Sequence, residues 1–113
     1  MRRRADFDRV FQHGRHNSAR LMAVRSVANQ GPLSRFGYAI PKRVGNAVIR
    51  NRVRRRLREI LRLLPLKEGF DVVITVRQEA AQASFQALRT ELMNLLRRAR
   101  ILESPGPQPR PRP

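Results

Sequence analysis

Val72-Val73-Ile74-Thr75-Val76 is an unbroken run of β-branched side chains, and it constrains the fold of this chain more than any other segment. Branching at Cβ stiffens χ1 and suits the pleated backbone of a sheet. A run without polar alternation fits a strand covered on both faces, whereas a strand with one wet face alternates. The segment beginning at Asp71 is therefore predicted to be a central strand, and the other elements must cover it.

The neighbouring periodicities supply those elements. Phe7, Val10 and Phe11 fall at i, i+3 and i+4 behind Asp6, a suitable N-cap, and Gly14 is suited to end the helix in the left-handed conformation. Residues 19–27 and 35–40 are β-tolerant and flank the turn-like Gln30-Gly31-Pro32-Leu33-Ser34, so they are predicted to pair as a hairpin. Between Pro41 and Pro65, Ile49, Val53, Leu57, Ile60 and Leu64 form one helical stripe, with Asn51, Arg55, Arg58 and Arg62 on the opposite face. Ser84 is suited to cap a last helix in which Phe85, Leu88, Leu92, Leu95 and Ala99 repeat at helical spacing and Arg97, Arg98 and Arg100 sit in the last turn, where cations suit the dipole. Residues 1–103 read as one domain. Residues 104–113 are rich in Pro and Arg and read as an extended tail without fixed structure. No internal repeat is visible.

The 113 residues carry 25 Lys and Arg against 8 Asp and Glu, a formal charge of +17, which points to a polyanionic partner. Only Lys42 and Lys67 are lysines, so the charge rests on guanidinium groups, whose planar forks hold phosphate oxygens in pairs and stack on bases. Nine of these basic residues lie in positions 42 to 62 with Glu59 as the single acid. A solvated helix face ordinarily mixes both signs. The imbalance favours a phosphate-binding face, and a membrane role is disfavoured because the apolar stripe is needed for the core and lacks Trp and Phe. Cys is absent, which removes disulfides and thiolate chemistry and fits a reducing compartment. No apolar run approaches the ~20 residues that span a bilayer, and Met1-Arg2-Arg3-Arg4 leads into Asp6 and Asp8 rather than an apolar signal core. The chain reads as cytoplasmic.

A nuclease acting by its own side chains needs a general acid and base, or clustered carboxylates holding metal ions. Asp6 and Asp8 diverge on a helix, and Glu59, Glu68, Asp71, Glu79, Glu91 and Glu103 are scattered over different elements. No catalytic or metal-binding set is predicted. His13 and His16 straddle Gly14 and read as exposed histidines near a helix end rather than as an acid and base pair.

The segment Lys42-Arg43-Val44-Gly45-Asn46-Ala47-Val48-Ile49-Arg50-Asn51-Arg52-Val53-Arg54-Arg55-Arg56-Leu57-Arg58-Glu59 closely resembles the signature of bacterial ribonuclease P proteins, in which a basic pair precedes Gly-Asn-Ala-Val and an Arg-Asn-Arg helix. The resemblance extends to Asp6-Phe7-Asp8-Arg9-Val10-Phe11 with Gly14 downstream, to Phe36-Gly37, and to the Asp71 strand and closing helix, over about residues 4 to 101. It implies an α/β (α+β) sandwich, like domain 2 of ribosomal protein S5, with helices on a mostly antiparallel four-stranded sheet and a left-handed βαβ crossover into the basic helix. It also implies the protein subunit of an endoribonuclease that removes the 5′ leader of precursor tRNA. The RNA subunit would perform the hydrolysis with bound Mg2+, and the protein itself would hold no cofactor. By position, Lys42, Arg43, Arg50, Asn51, Arg52, Arg54, Arg55, Arg58 and Arg62 would bind the catalytic RNA and nearby phosphates, in a heterodimer with one RNA. Phe7 and Phe11 would line the leader cleft, although an i, i+4 aromatic pair serves core packing equally well.

Two departures stand out. Where the family often has an aromatic on the strand facing the cleft, this chain has Arg25 or a neighbour, so a cation would lie over a base or phosphate there. The chain also begins close to the first helix, which implies that some terminal contacts of relatives are absent. A ribosomal or other RNA-binding protein of similar fold, and a stand-alone nuclease, remain the competing readings.

Overall fold

The computed structural model describes residues 4–103; the Pro/Arg-rich tail and the Met1-Arg2-Arg3 start lie outside the described residues. In chain order the elements are α1 (Arg4–His13), β1 (Arg15–Ser18), β2 (Met22–Ala28), β3 (Arg35–Ala39), a 3-10 turn (Lys42–Val44), α2 (Ala47–Arg62), β4 (Phe70–Val76), a second 3-10 turn (Gln78–Gln82) and α3 (Phe85–Arg98). The four strands form one sheet in the order β1-β2-β4-β3. Pairing is antiparallel between β1 and β2 and between β2 and β4, and parallel between β3 and β4.

The β-branched run is central, as predicted: Val72, Val73, Ile74 and Val76 are buried, and β4 is flanked by β2 and β3. The predicted hairpin is corrected. β2 and β3 do not pair with each other; β4 lies between them, with Val24 opposite Ile74 on one side and Tyr38 opposite Ile74 on the other. Putting the most apolar strand in the middle satisfies both its hydrogen-bonding edges and covers both its faces, which a β2–β3 hairpin would prevent. The parallel pairing makes β3, α2 and β4 a crossover unit.

Alternation divides the sheet into two faces. Met22, Val24, Val72, Ile74 and Val76 point inward and join Val53, Leu57, Ile60 and Leu61 of α2 and Leu88, Leu92, Leu95 and Leu96 of α3 in one core. Burying a leucine contributes about 1.5–3 kcal/mol, so this layer holds both helices to the sheet. The opposite face carries Arg25, Asp71 and Arg35, and α1 crosses it: Arg9 bonds Asp71 and Asp6 reaches Arg35. Val10 is buried there, outside the main core.

Two terminus expectations for α1 change. The helix is already formed at Arg4, so Asp6 lies inside its first turn, where it complements the dipole instead of capping. Gly14 does not adopt a left-handed backbone, since the glycines with positive φ among the described residues are Gly45 and Gly69. Its N–H donates to the Val10 carbonyl at 2.8 Å, and a Cβ there would fall 2.3 Å from that oxygen and 3.0 Å from the Ser26 carbonyl. Glycine is needed for close approach between the helix end and β2. Ser84 caps α3 as predicted, its hydroxyl accepting from Ala87 N–H at 3.0 Å. Arg97 and Arg98 occupy the last turn, whereas Arg100 lies beyond it with φ of 62°, in the left-handed position that usually favours glycine.

Candidate nucleic-acid interface

α2 begins at Asn46, whose side-chain oxygen accepts from Ile49 N–H at 3.0 Å and so satisfies one of the helix's orphan donors. Val53, Leu57, Ile60 and Leu61 turn to the core and Ile49 packs against it, and the other positions are mostly arginine. These arginines are not equivalent. Arg52 Nη2 donates to the Ala81 carbonyl at 3.0 Å and Arg56 Nη1 to the Ala83 carbonyl at 3.2 Å, so both hold the segment ahead of α3 against α2. Arg50 Nε donates to the Gly45 carbonyl at 3.1 Å. Arg54 Nη1 donates to Asn51 Oδ1 at 2.8 Å, which orients both polar groups outward. Arg62 pairs with Glu59 at 2.6 Å, and the hydrogen bond from Arg62 lowers the Glu59 carboxyl below its ordinary range.

Arg55 and Arg58 are exposed, and among the described residues neither makes an ion pair or side-chain hydrogen bond. Lys42 and Arg43 are exposed on the turn ahead of the helix. On β3, Tyr38 packs against the core; burial raises its hydroxyl above the ordinary phenol range, and the positive charges of Arg58 and Arg54 oppose that rise. The sequence-predicted basic residues thus share one helix and its preceding turn, but Arg50, Arg52, Arg54 and Arg62 are partly engaged by the protein itself. The free guanidiniums of Arg55 and Arg58 leave positive charge without an internal partner, which a polyanion would supply.

The second predicted surface lies across the sheet. Phe7 is half-buried, and Phe11 is 41% exposed with the Arg25 guanidinium 4.7 Å above its ring centroid. A cation at that distance is attracted by the ring face. Phe11 and Arg25 are therefore brought together, the arginine stacking on the aromatic, and Phe7 lies one turn before Phe11 on α1. His13 ends α1 and His16 lies on β1, both exposed; β1, a short polar strand, is an element the sequence reading left in a loop.

Sequence reasoning also missed what anchors this surface. Asp71 is fully buried and accepts hydrogen bonds from Arg35 Nε and Nη2 at 2.8 and 2.7 Å, Arg9 Nη2 at 2.6 Å and Asn29 Nδ2 at 2.9 Å. The Arg35 hydrogen bond chiefly, then Asn29 and Arg9, hold its carboxyl well below the usual carboxylate range against the opposing effect of burial. The signal was present: an acid at the head of a strand predicted to be buried requires partners. Asp71 is fully occupied by these contacts and is not poised for proton transfer. Among the described residues, no group of three or more His, Cys, Asp or Glu could hold a metal ion. No helix among them is long and apolar enough to cross a membrane.

Comparisons with known proteins converge on this architecture. A family model described as Ribonuclease P matches residues 1–100. The ribonuclease P protein component of Dehalococcoides mccartyi is 39% identical over 100 residues, covering 88% of this chain and 83% of that relative. The same component from Caldanaerobacter subterraneus is 33% identical over 105 residues, covering 91% and 90%. Among solved structures, the RNase P protein of Thermotoga maritima superposes with a TM-score of 0.81 at 31% identity, covering 87% of this chain and 97% of that one. The RNase P protein of Staphylococcus aureus gives 0.84 at 25% identity, covering 91% and 96%.

Proposed function

The chain belongs to the bacterial ribonuclease P protein family, which acts in tRNA processing, and from that premise we propose that α2 docks on the catalytic RNA while Phe7, Phe11 and Arg25 receive the 5′ leader of precursor tRNA. The observation that carries the first half is the pair Arg55 and Arg58, exposed and without an internal counter-charge on a helix whose other face is core. Lys42, Arg43, Arg50, Asn51 and Arg54 extend the same surface; Arg52 and Arg62 reach it while tethered to Ala81 and Glu59. The second half rests on the exposed Phe11 ring under Arg25, a flat cationic platform of the kind on which unpaired bases stack.

The protein supplies binding and positioning, and hydrolysis with Mg2+ belongs to the RNA subunit. The carboxylates support this division, because Asp71 is spent on arginines and Glu59 on Arg62. We place the work in the cytoplasm, in a complex of one protein with one RNA.

A pair of titrations tests the assignment of faces: RNA subunit by protein, then reconstituted holoenzyme by tRNA with and without a leader, each preceded by a melting curve. Stacking contributes about 1–3 kcal/mol per base. Phe11→Ala should weaken binding of precursor tRNA much more than of mature tRNA and leave assembly nearly unchanged; Arg55→Ala should impair assembly first. If Phe11→Ala lowers the melting point yet spares leader discrimination, the ring is a packing residue and the cleft reading fails.

A further inference from the structure

His16 lies beside Arg25 in the sheet, and the division of faces leaves it without a role. It is the Cα partner of Arg25 in the antiparallel β1–β2 ladder. Directly opposed residues in such a pair project to the same side of the sheet with Cβ atoms about 4.5–5.5 Å apart. Arg25 projects to the α1 side, since its guanidinium lies over Phe11. The imidazole of His16 therefore stands on that side too, next to Arg25. It is exposed, and no hydrogen bond or ion pair engages it among the described residues.

The row has a direction. From Arg25 the same register continues inward to Val73 and then Gly37. Val73 is fully buried and Gly37 has no side chain, so neither offers a surface to a ligand. Outward, the row ends at His16 on β1, the edge strand. Phe11 lies beneath Arg25, and His16 is paired with Arg25 on the next strand, so the three stand on one side of the sheet with His16 at its edge. Neighbouring strands lie about 4.8 Å apart, so His16 stands about one strand spacing beyond Arg25.

We infer that His16 is a third base-stacking station, set where the line of Phe11 and Arg25 meets the β1 edge, and that it takes a nucleobase of a single-stranded RNA leaving the cleft. This rests on the cleft reading above and adds the strand's direction to it. Competing uses of the imidazole lack support on its surroundings: no carboxylate orients it as a general base, and no metal-ligating trio forms among the described residues. An unpaired planar ring beside a guanidinium suits a base, which has a π-face whatever its identity, so the station adds affinity with little sequence preference.

The test uses the holoenzyme reconstituted from the full chain and precursor tRNAs whose leaders lengthen one nucleotide at a time. With the natural chain, affinity should rise in steps as successive nucleotides reach the three stations. His16→Ala should remove the outermost step, a five- to tenfold loss confined to the longer leaders. Shorter leaders, mature tRNA and assembly with the RNA subunit should be unaffected, and His16→Phe should restore the step. Phe11→Ala, run in parallel, should lose affinity already with the shorter leaders. If Phe11→Ala behaves so but His16→Ala matches the natural chain at every length, the third station is overturned and the cleft stands. If neither variant depends on leader length, both readings fall. A loss that His16→Phe does not restore, or a lowered melting point in His16→Ala, assigns the residue to some other duty and overturns the inference.

Discussion

Asp71 is the residue on which the outer face depends. A buried carboxylate is tolerable only when its lone pairs are filled, and here three side chains from three segments fill them: Arg9 of α1, Asn29 of the β2–β3 turn and Arg35 of β3. Asn29 also donates to the Leu33 carbonyl at 2.9 Å, so the same residue shapes the turn. Asp71→Asn would keep the shape but leave two guanidiniums facing a neutral amide. Removing one partner of a buried pair is strongly destabilising, but Arg9 and Arg35 are 38% and 45% exposed and water would solvate them in part. The expected loss is about 2–4 kcal/mol at neutral pH, measured by urea unfolding. Because folding depresses the Asp71 carboxyl, the unfolded chain binds the proton more readily, and stability rises with pH in that range. The contribution is complete above the ordinary carboxylate value near 3.9 and is lost as pH falls below it toward the folded value. The gap between the natural chain and Asp71→Asn should therefore be widest near pH 7 and narrow toward pH 3. An equal gap at both ends would show that the charge is not what Asp71 contributes.

Within α2, residues of one continuous motif divide between holding the helix and presenting charge. Asn46 caps it through Ile49 N–H, whereas Arg58 makes no side-chain bond to the protein among the described residues. Asn46→Ala should cost about 1 kcal/mol of stability and leave the salt dependence of RNA binding unchanged, with Asn46→Ser restoring the melting point. Arg58→Ala should do the opposite, reducing the slope of log K against log salt by about one while sparing stability. Two salt titrations and two unfolding curves separate them; a flattened slope in Asn46→Ala would place that side chain on the RNA instead. The periodicity that made α2 and α3 legible is local, and so is the run that identified β4. Pairing is not local. The arrival of β4 between β2 and β3 depends on residues about 40 positions apart in sequence, as Ser26 and Val72 or Phe36 and Val72 are. β1 was missed because Arg15-His16-Asn17-Ser18 has neither apolar alternation nor β-branching and is recruited by β2 alone. Likewise the basic residues of the site were legible as a group, but Arg52 could not be told from Arg55 until the segment carrying Ala81 folded against the helix.

Across the whole molecule, one sign of charge governs both stability and association, and salt should move the two in opposite directions. The chain carries +17, and its Cα radius of gyration is 14.2 Å. At 0.01 M ionic strength the Debye length is about 30 Å, longer than that radius, so every arginine repels every other; at 0.15 M it is about 8 Å, and only neighbours interact. Screening should therefore relieve self-repulsion in the folded state more than in the expanded unfolded chain. A gain of about 1 kcal/mol corresponds to a rise of about 4–8 °C in Tm for a domain of this size. Affinity for the RNA subunit should fall over the same titration, because each phosphate contact releases counterions that salt drives back. The measurement is a thermal melt of the free protein in KCl from 0.01 to 0.15 M, beside binding titrations in the same buffers, with heparin added at the lowest salt as a polyanion expected to bind the compact folded charge pattern more tightly than the expanded unfolded chain. Both KCl and heparin should raise Tm, one by screening and the other by pairing. A Tm that falls as KCl rises would mean that attractive contacts, those of Asp71 with Arg9 and Arg35 foremost, outweigh the repulsion, and the excess charge would then carry no cost for a polyanion to relieve.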